Sequence, residues 1–146
     1  MEFIVDTREQ KPYTNHFKKL KHKYEVKKLN IGDYSIKGYE HKFAIERKEK
    51  NDFISSITRG RNRFRRELEK ARDYDFFAVV VECDLFDIIN GNYQSNAHPS
   101  SILSTLFMWQ VRYSIPINLV GTRFGGALAI VKFSEAYLKY KAYEYE

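Results

Sequence analysis

The chain has 146 residues and a mass of 17.4 kDa, enough for one domain with its own core and no need of disulfide or metal staples. Its 43% hydrophobic and 16% aromatic content is that of a globular protein, and no apolar run reaches the roughly 18 residues of a membrane-spanning helix. The formal charge of +6 and pI near 9.3 point to a polyanionic partner, while a single cysteine, Cys83, excludes an internal disulfide.

Phe3 to Asp6 reads as a short first strand ending in a carboxylate. The strand-like opening EFIVD lacks the basic, apolar and small-residue zones of a signal peptide, so an intracellular setting is expected: cytoplasm or nucleoid in a prokaryote or virus, nucleus in a eukaryote. Pro12 ends any regular element, and Thr14 or Asn15 is placed to cap a short helix with Phe17 and Leu20 on its apolar side. Lys18, Lys19, Lys21, Lys23, Lys27 and Lys28 crowd this region, as a solvated face or as a phosphate-binding one. Tyr24 to Leu29 alternates as a second strand, and Asn30 to Asp33 turns into a third, Tyr34 to Ile36. Gly38 begins the reversal into the stretch Phe43 to Asp52, FAIERKEKND.

That stretch opens apolar and then sets Glu46, Arg47 and Lys48 in succession. Burying such charges costs several kcal/mol unless they are paired or hold an ion. Residues two apart on a strand share a face, so Glu46 and Lys48 point together and Arg47 points away. In isolation Asp33 reads as a turn aspartate after glycine, but its place ahead of the charged strand lets it meet Glu46 across neighbouring antiparallel strands. Two carboxylates and a lysine on one face suit metal-assisted phosphodiester hydrolysis.

Asn51 or Asp52 is placed to cap a helix through Phe53, Ile54 and Ile57; Gly60 interrupts, and Asn62 to Asp73 resumes with Phe64, Leu68 and Ala71 as the inward stripe. Arg59, Arg61, Arg63, Arg65 and Arg66 crowd around its start, and the planar guanidinium fork suits phosphate oxygens. Phe76 to Val81 is apolar on both faces, as an interior strand with parallel neighbours would be, and makes Cys83 an inert, half-buried thiol. Gly91 to Pro99 is a polar loop, the best candidate for disorder or for contact with substrate. Ser100 to Tyr113 is apolar nearly all round, a helix that must be interior or meet another chain. Pro116 to Val120 is a last strand, and Gly125 to Tyr143 a closing helix. Strands interrupted by helices imply an α/β fold, a mixed central β-sheet flanked by helices. His16, His22, His41 and His98 lack zinc-ligand spacing, and no glycine-rich phosphate loop supports ATP dependence.

Gly32-Asp33-Tyr34 followed by Glu46-Arg47-Lys48-x3-Asp52 resembles the GD…ERKxxxD signature of the xeroderma pigmentosum group F (XPF) family of structure-specific DNA endonucleases. Val5-Asp6-Thr7-Arg8-Glu9 is similar to that family's opening VDxRE, and Arg61 to Glu82 to its arginine-rich helix and following buried strand. The C-terminal third is similar only in its alternation of apolar helix, strand and helix. The resemblance implies a restriction-endonuclease-like core, residues 1–146 as one nuclease domain without the family's helix-hairpin-helix tail, and cleavage of branched, flap or fork DNA with Mg²⁺ or Mn²⁺. Asp33, Glu46 and Asp6 would be metal ligands, and Lys48 would handle the attacking water. Glu9 and Asp52 would join the acidic cluster, although Glu9 also reads as a surface charge and Asp52 as a helix cap; Arg8 would pair with the cluster, and Arg47 would contact DNA or brace it. Glu82 is left unassigned. Pairing through C-terminal helices implies a homodimer, with DNA and no membrane as partner. A non-catalytic DNA-binding module of the same fold, or a resolvase- or restriction-like nuclease, are the alternatives.

Overall fold

The computed structural model describes residues 1–144. Six strands form one sheet in the order β2-β1-β3-β4-β5-β6: β1 (Glu2–Val5), β2 (Lys23–Val26), β3 (Tyr34–Ile36), β4 (Phe43–Glu49), β5 (Phe76–Glu82) and β6 (Ile117–Leu119). The sheet is mixed. β1 runs parallel to β2 and antiparallel to β3, β3 runs antiparallel to β4, and β4, β5 and β6 are parallel.

Helices cover both faces, which is why β5 can bury both sides of its apolar run. On one face α2 (Lys50–Ile57), α3 (Arg61–Ala71), α4 (Leu85–Ile89) and α5 (Pro99–Tyr113) enclose Ala44, Val79, Val81 and Ile117. On the other, α1 (Thr14–Lys19) and α6 (Arg123–Glu144) enclose Phe43, Ile45, Ala78 and Val80. The alternation of these side chains fixes β4's register, so one set of residues at its C-terminal end faces α2 and α3 and the intervening one faces α1 and α6.

Several boundaries differ from the sequence expectation. β1 ends at Val5, leaving Asp6 in the turn, and β2 ends at Val26 because the chain bends there to bring the Leu29 amide onto the Asp6 carboxylate, 2.7 Å away. Neither predicted cap acts as one: α1 starts behind Tyr13 and α2 behind Glu49, so Thr14, Asn15, Asn51 and Asp52 lie within first turns. The sequence reading missed α4, whose Asp84 and Asp87 cap it reciprocally. Among the described residues no helix is long and apolar enough to cross a membrane.

Candidate active site

β4 carries Phe43, Ala44 and Ile45 through the core with no exposure, and becomes half-buried at Glu46. Asp33 sits one residue before β3, its amide bonded to the Ile45 carbonyl at 2.9 Å and its Oδ2 accepting the Arg47 amide at 2.8 Å. The backbone thereby holds Asp33 beside Glu46 on the face covered by α2 and α3. Gly32 makes the approach possible. It has φ +77, and a Cβ there would lie 3.0 Å from Ala44 Cβ and 3.2 Å from the Ile45 carbonyl.

Both carboxyls are pushed above the ordinary range, Glu46 well above it. Burial is the main cause, and the facing Asp33 charge adds to it for Glu46. The two carboxyls face each other closely enough to share a side-chain contact. Lys48 lies on the same face with its Nζ 4.8 Å from the centre of the Phe64 ring, so α3 steers the amine by a cation–π contact. These groups line a cavity of about 650 Å³ that is also walled by Asp52 and Ser55 of α2 and by Arg63, Glu67 and Lys70 of α3.

Arg47 faces the other way. Its side chain is 7% exposed, with Nε and Nη2 donating to Glu9 at 2.9 and 3.0 Å and Nη1 donating to Glu82 at 3.2 Å. Glu82 also accepts from the Tyr13 hydroxyl. Burial opposes the Arg47 charge, but Glu9 and Glu82 more than reverse that and raise its pKa. Burial, then the hydrogen bond to Glu82, pushes the Tyr13 phenol far up. Arg123 closes the cluster, 3.9 Å from Glu82, with its ends donating to the Lys11 and Pro12 carbonyls.

The residues singled out from sequence therefore divide. Asp33, Glu46, Lys48 and Asp52 come together at one cavity, with Asp6 at its edge. Glu9 is Arg47's partner and does not line that cavity, while its charge reaches Asp33 and helps to raise that carboxyl. The Asp6 carboxylate is taken up by Arg8 (Nε at 2.9 Å) and the Leu29 amide; burial opposes its charge, and these bonds hold its pKa below the usual value. The Arg8 contact matches the expected pairing. Among the described residues no three His, Cys, Asp or Glu side chains gather as metal ligands. Two carboxylates facing an open polar cavity still fit a hard cation such as Mg²⁺ or Mn²⁺, which is held through one or two carboxylates and keeps several waters.

The arginines divide as well. Arg61 donates to Thr105 at 3.0 Å and stacks 4.8 Å from the Trp109 ring centre, and Arg65 donates to the Tyr113 hydroxyl at 3.1 Å; both fasten α3 to α5. Arg59, Arg63 and Arg66 remain exposed. Glu67 and Lys70 escaped the sequence reading. The available signal was their place three and six residues after Phe64, on the flank of α3's buried stripe. Cys83 is buried with its pKa pushed up to about 11 by burial, as an inert thiol should be.

XPF from Aeropyrum pernix has the same fold, with a TM-score of 0.77 at 22% identity over 94% of this chain and 61% of that one. XPF from Aeropyrum pernix in complex with DNA gives 0.77 at 23% identity over 94% and 65%. The chain thus spans less than two thirds of the length of these structures. No curated protein matches the sequence. Residues 5–123, from the end of β1 to the first residue of α6, match the ERCC4 domain. The match takes in the Asp33–Glu46–Lys48 cavity and the Arg47 brace, and the chain belongs to the ERCC4 domain family, the XPF-type nuclease family whose motifs it carries.

Proposed function

We propose that the chain is a divalent-metal-dependent endonuclease that hydrolyses phosphodiester bonds in branched, flap or fork DNA. The observation that carries this reading is the Asp33–Glu46 pair, half-buried and face to face beside Lys48 in an open cavity. A structural role alone is a poor account of two adjoining carboxyls whose burial opposes their ionisation.

Asp33 and Glu46 would hold Mg²⁺ or Mn²⁺. When bound, such an ion neutralises phosphate charge and acidifies water. The remaining work belongs to side chains. Lys48, steered by Phe64, orients the attacking water or steadies charge developing on the phosphate. Arg63 and Lys70 in the cavity wall, with Arg59 and Arg66 nearby on the surface, attract and align the DNA backbone. Arg47, Glu9 and Glu82 brace β4 from behind, so that Glu46 and Lys48 keep their spacing. The known DNA complex of Aeropyrum pernix XPF supports DNA as the ligand. Exposed Phe107, Met108 and Val111 on α5 support self-association into a homodimer.

The test is cleavage of forked and flapped DNA in Mg²⁺ and in Mn²⁺. Glu46→Gln and Lys48→Ala are each expected to lower kcat by about 10²-fold or more. Full activity of purified Glu46→Gln would overturn the assignment, and tight binding without cutting in either metal would make the chain a DNA-binding module.

A further inference from the structure

A second polar cleft, of about 630 Å³, opens between α2 and the loop from Gly91 to Ala97. It adjoins the catalytic cavity, because Asp52 and Ser55 wall both. The loop is fixed by its own bonds: Asn92 Nδ2 donates to Asp87 at 2.9 Å, the Tyr93 hydroxyl donates to the Ala97 carbonyl at 2.6 Å, and the Gln94 amide donates to Asn51 Oδ1 at 2.9 Å. That last bond occupies Asn51's acceptor and leaves its NH₂ donors for something else. Among the described residues the side-chain amides of Gln94 and Asn96 have no hydrogen-bond partner, and Arg59, at the same cleft, makes no ion pair.

The lining therefore combines neutral amides and hydroxyls with the Arg59 guanidinium and the Asp52 carboxylate, which make no ion pair with each other. Amides match the donors and acceptors of base edges, and a guanidinium matches a phosphodiester. The Asp52 carboxylate in the same lining repels phosphate, so a phosphodiester is drawn to Arg59. The volume falls within the roughly 300–1,000 Å³ of ordinary ligand sites. A base inside a duplex is stacked and has its pairing edge occupied, so only an unpaired one can enter the cleft and offer that edge to the amides.

We propose that this cleft binds an unpaired nucleotide of the strand that adjoins the scissile phosphate. The junction-reading role rests on the nuclease reading above, whereas the binding of single-stranded DNA does not. With one cavity for the phosphate to be cut and a neighbouring one for unpaired bases, DNA that changes from paired to unpaired next to the cut engages both. Continuous duplex engages only the first.

Oligothymidylate is the probe, titrated by fluorescence anisotropy without divalent metal. The double variant Gln94→Ala with Asn96→Ala is expected to weaken its binding about tenfold, as loss of two hydrogen bonds implies. Asn51→Asp keeps the acceptor that holds the loop but replaces the donors with negative charge, and is expected to weaken binding further; circular dichroism and melting temperature check that both variants fold. Photocrosslinking of 4-thiothymidine in the single-stranded arm of a fork is expected to mark the peptide from Gly91 to Pro99. Unchanged affinity in both folded variants, crosslinks confined to other peptides, or no binding of oligothymidylate by the wild type overturns the proposal. Forks cut in Mg²⁺ despite any of those results would leave the nuclease reading intact without the cleft. Oligothymidylate bound at the loop by a chain that never cuts would leave the cleft intact without the nuclease.

Discussion

At the active site the two carboxyls of Asp33 and Glu46 work against the folded state whenever both are ionised. Burial raises both pKa values, that of Glu46 the more. A carboxyl with a folded pKa above its unfolded value contributes full stability below the unfolded pKa, near 4, and loses it as pH rises through the folded one. In metal-free buffer the difference in melting temperature between wild type and Glu46→Gln should therefore widen against the wild type from about pH 5 to pH 8. Glutamine keeps a donor for Asp33 but cannot ionise. Mg²⁺ should raise the wild-type melting temperature at pH 8 and leave Glu46→Gln nearly unmoved. A difference curve that stays flat with pH would remove buried ionisation from the account of the site. Gly32 sets the geometry of the same pair, and Gly32→Ala, forced to a left-handed φ against the Ala44 side chain and the Ile45 carbonyl, should cost about 1–3 kcal/mol in urea unfolding and lower cleavage with it.

β4 is the element in which the proposed catalysis and stability meet, because its alternating residues serve opposite faces. Behind the catalytic side, Arg47 is 7% exposed between Glu9 at 5% and Glu82 at 10%. Arg47→Met would strand two buried carboxylates, which costs about 3–5 kcal/mol, and adding Glu9→Gln and Glu82→Gln should return much of it. Denaturant titration of the single and triple variants reads this directly; a triple variant no more stable than the single would mean that Arg47 acts by packing alone. The opposed faces of Glu46 and Arg47 were legible in the sequence because strand alternation is local, and so was the meeting of Asp33 with Glu46, which one short reversal at Gly38 brings about. The Arg8 partner of Asp6 was legible too, but the Leu29 amide on Asp6 and the partners of Glu9, Arg61 and Arg65 were not. Each depends on how a loop or helix crosses the sheet: the turn after β1 delivers Glu9 to the back of β4, and the seating of α3 against α5 turns Arg61 and Arg65 onto Thr105 and Tyr113. Glu67 and Lys70 reach the cavity for the same reason, through the angle at which α3 lies over β4. Periodicity finds a helix's buried stripe but not what its flank overlooks.

For the whole molecule, the two sides of the fold are unequally finished. α5 buries Ile102, Leu106, Trp109 and Tyr113 against the sheet, yet its outer side carries Phe107, Met108 and Val111, the last 82% exposed. α6, covering the opposite face of the sheet, exposes Phe124 and Leu128. Large apolar side chains grouped on one helix face are costly to leave in water, and a second copy of the chain is the occupant we propose for them. Met108→Lys with Val111→Asp should then convert a dimer to a monomer in light scattering while leaving the melting transition cooperative, since neither residue packs in the core. A wild type that is already monomeric at micromolar concentration would refute the pairing. The cavity proposed for catalysis is lined from one chain by the turn before β3, the end of β4, α2 and α3. The monomeric variant should accordingly keep its single-turnover cleavage rate at saturating enzyme and lose mainly affinity for DNA, the result expected if pairing adds binding surface and not chemistry.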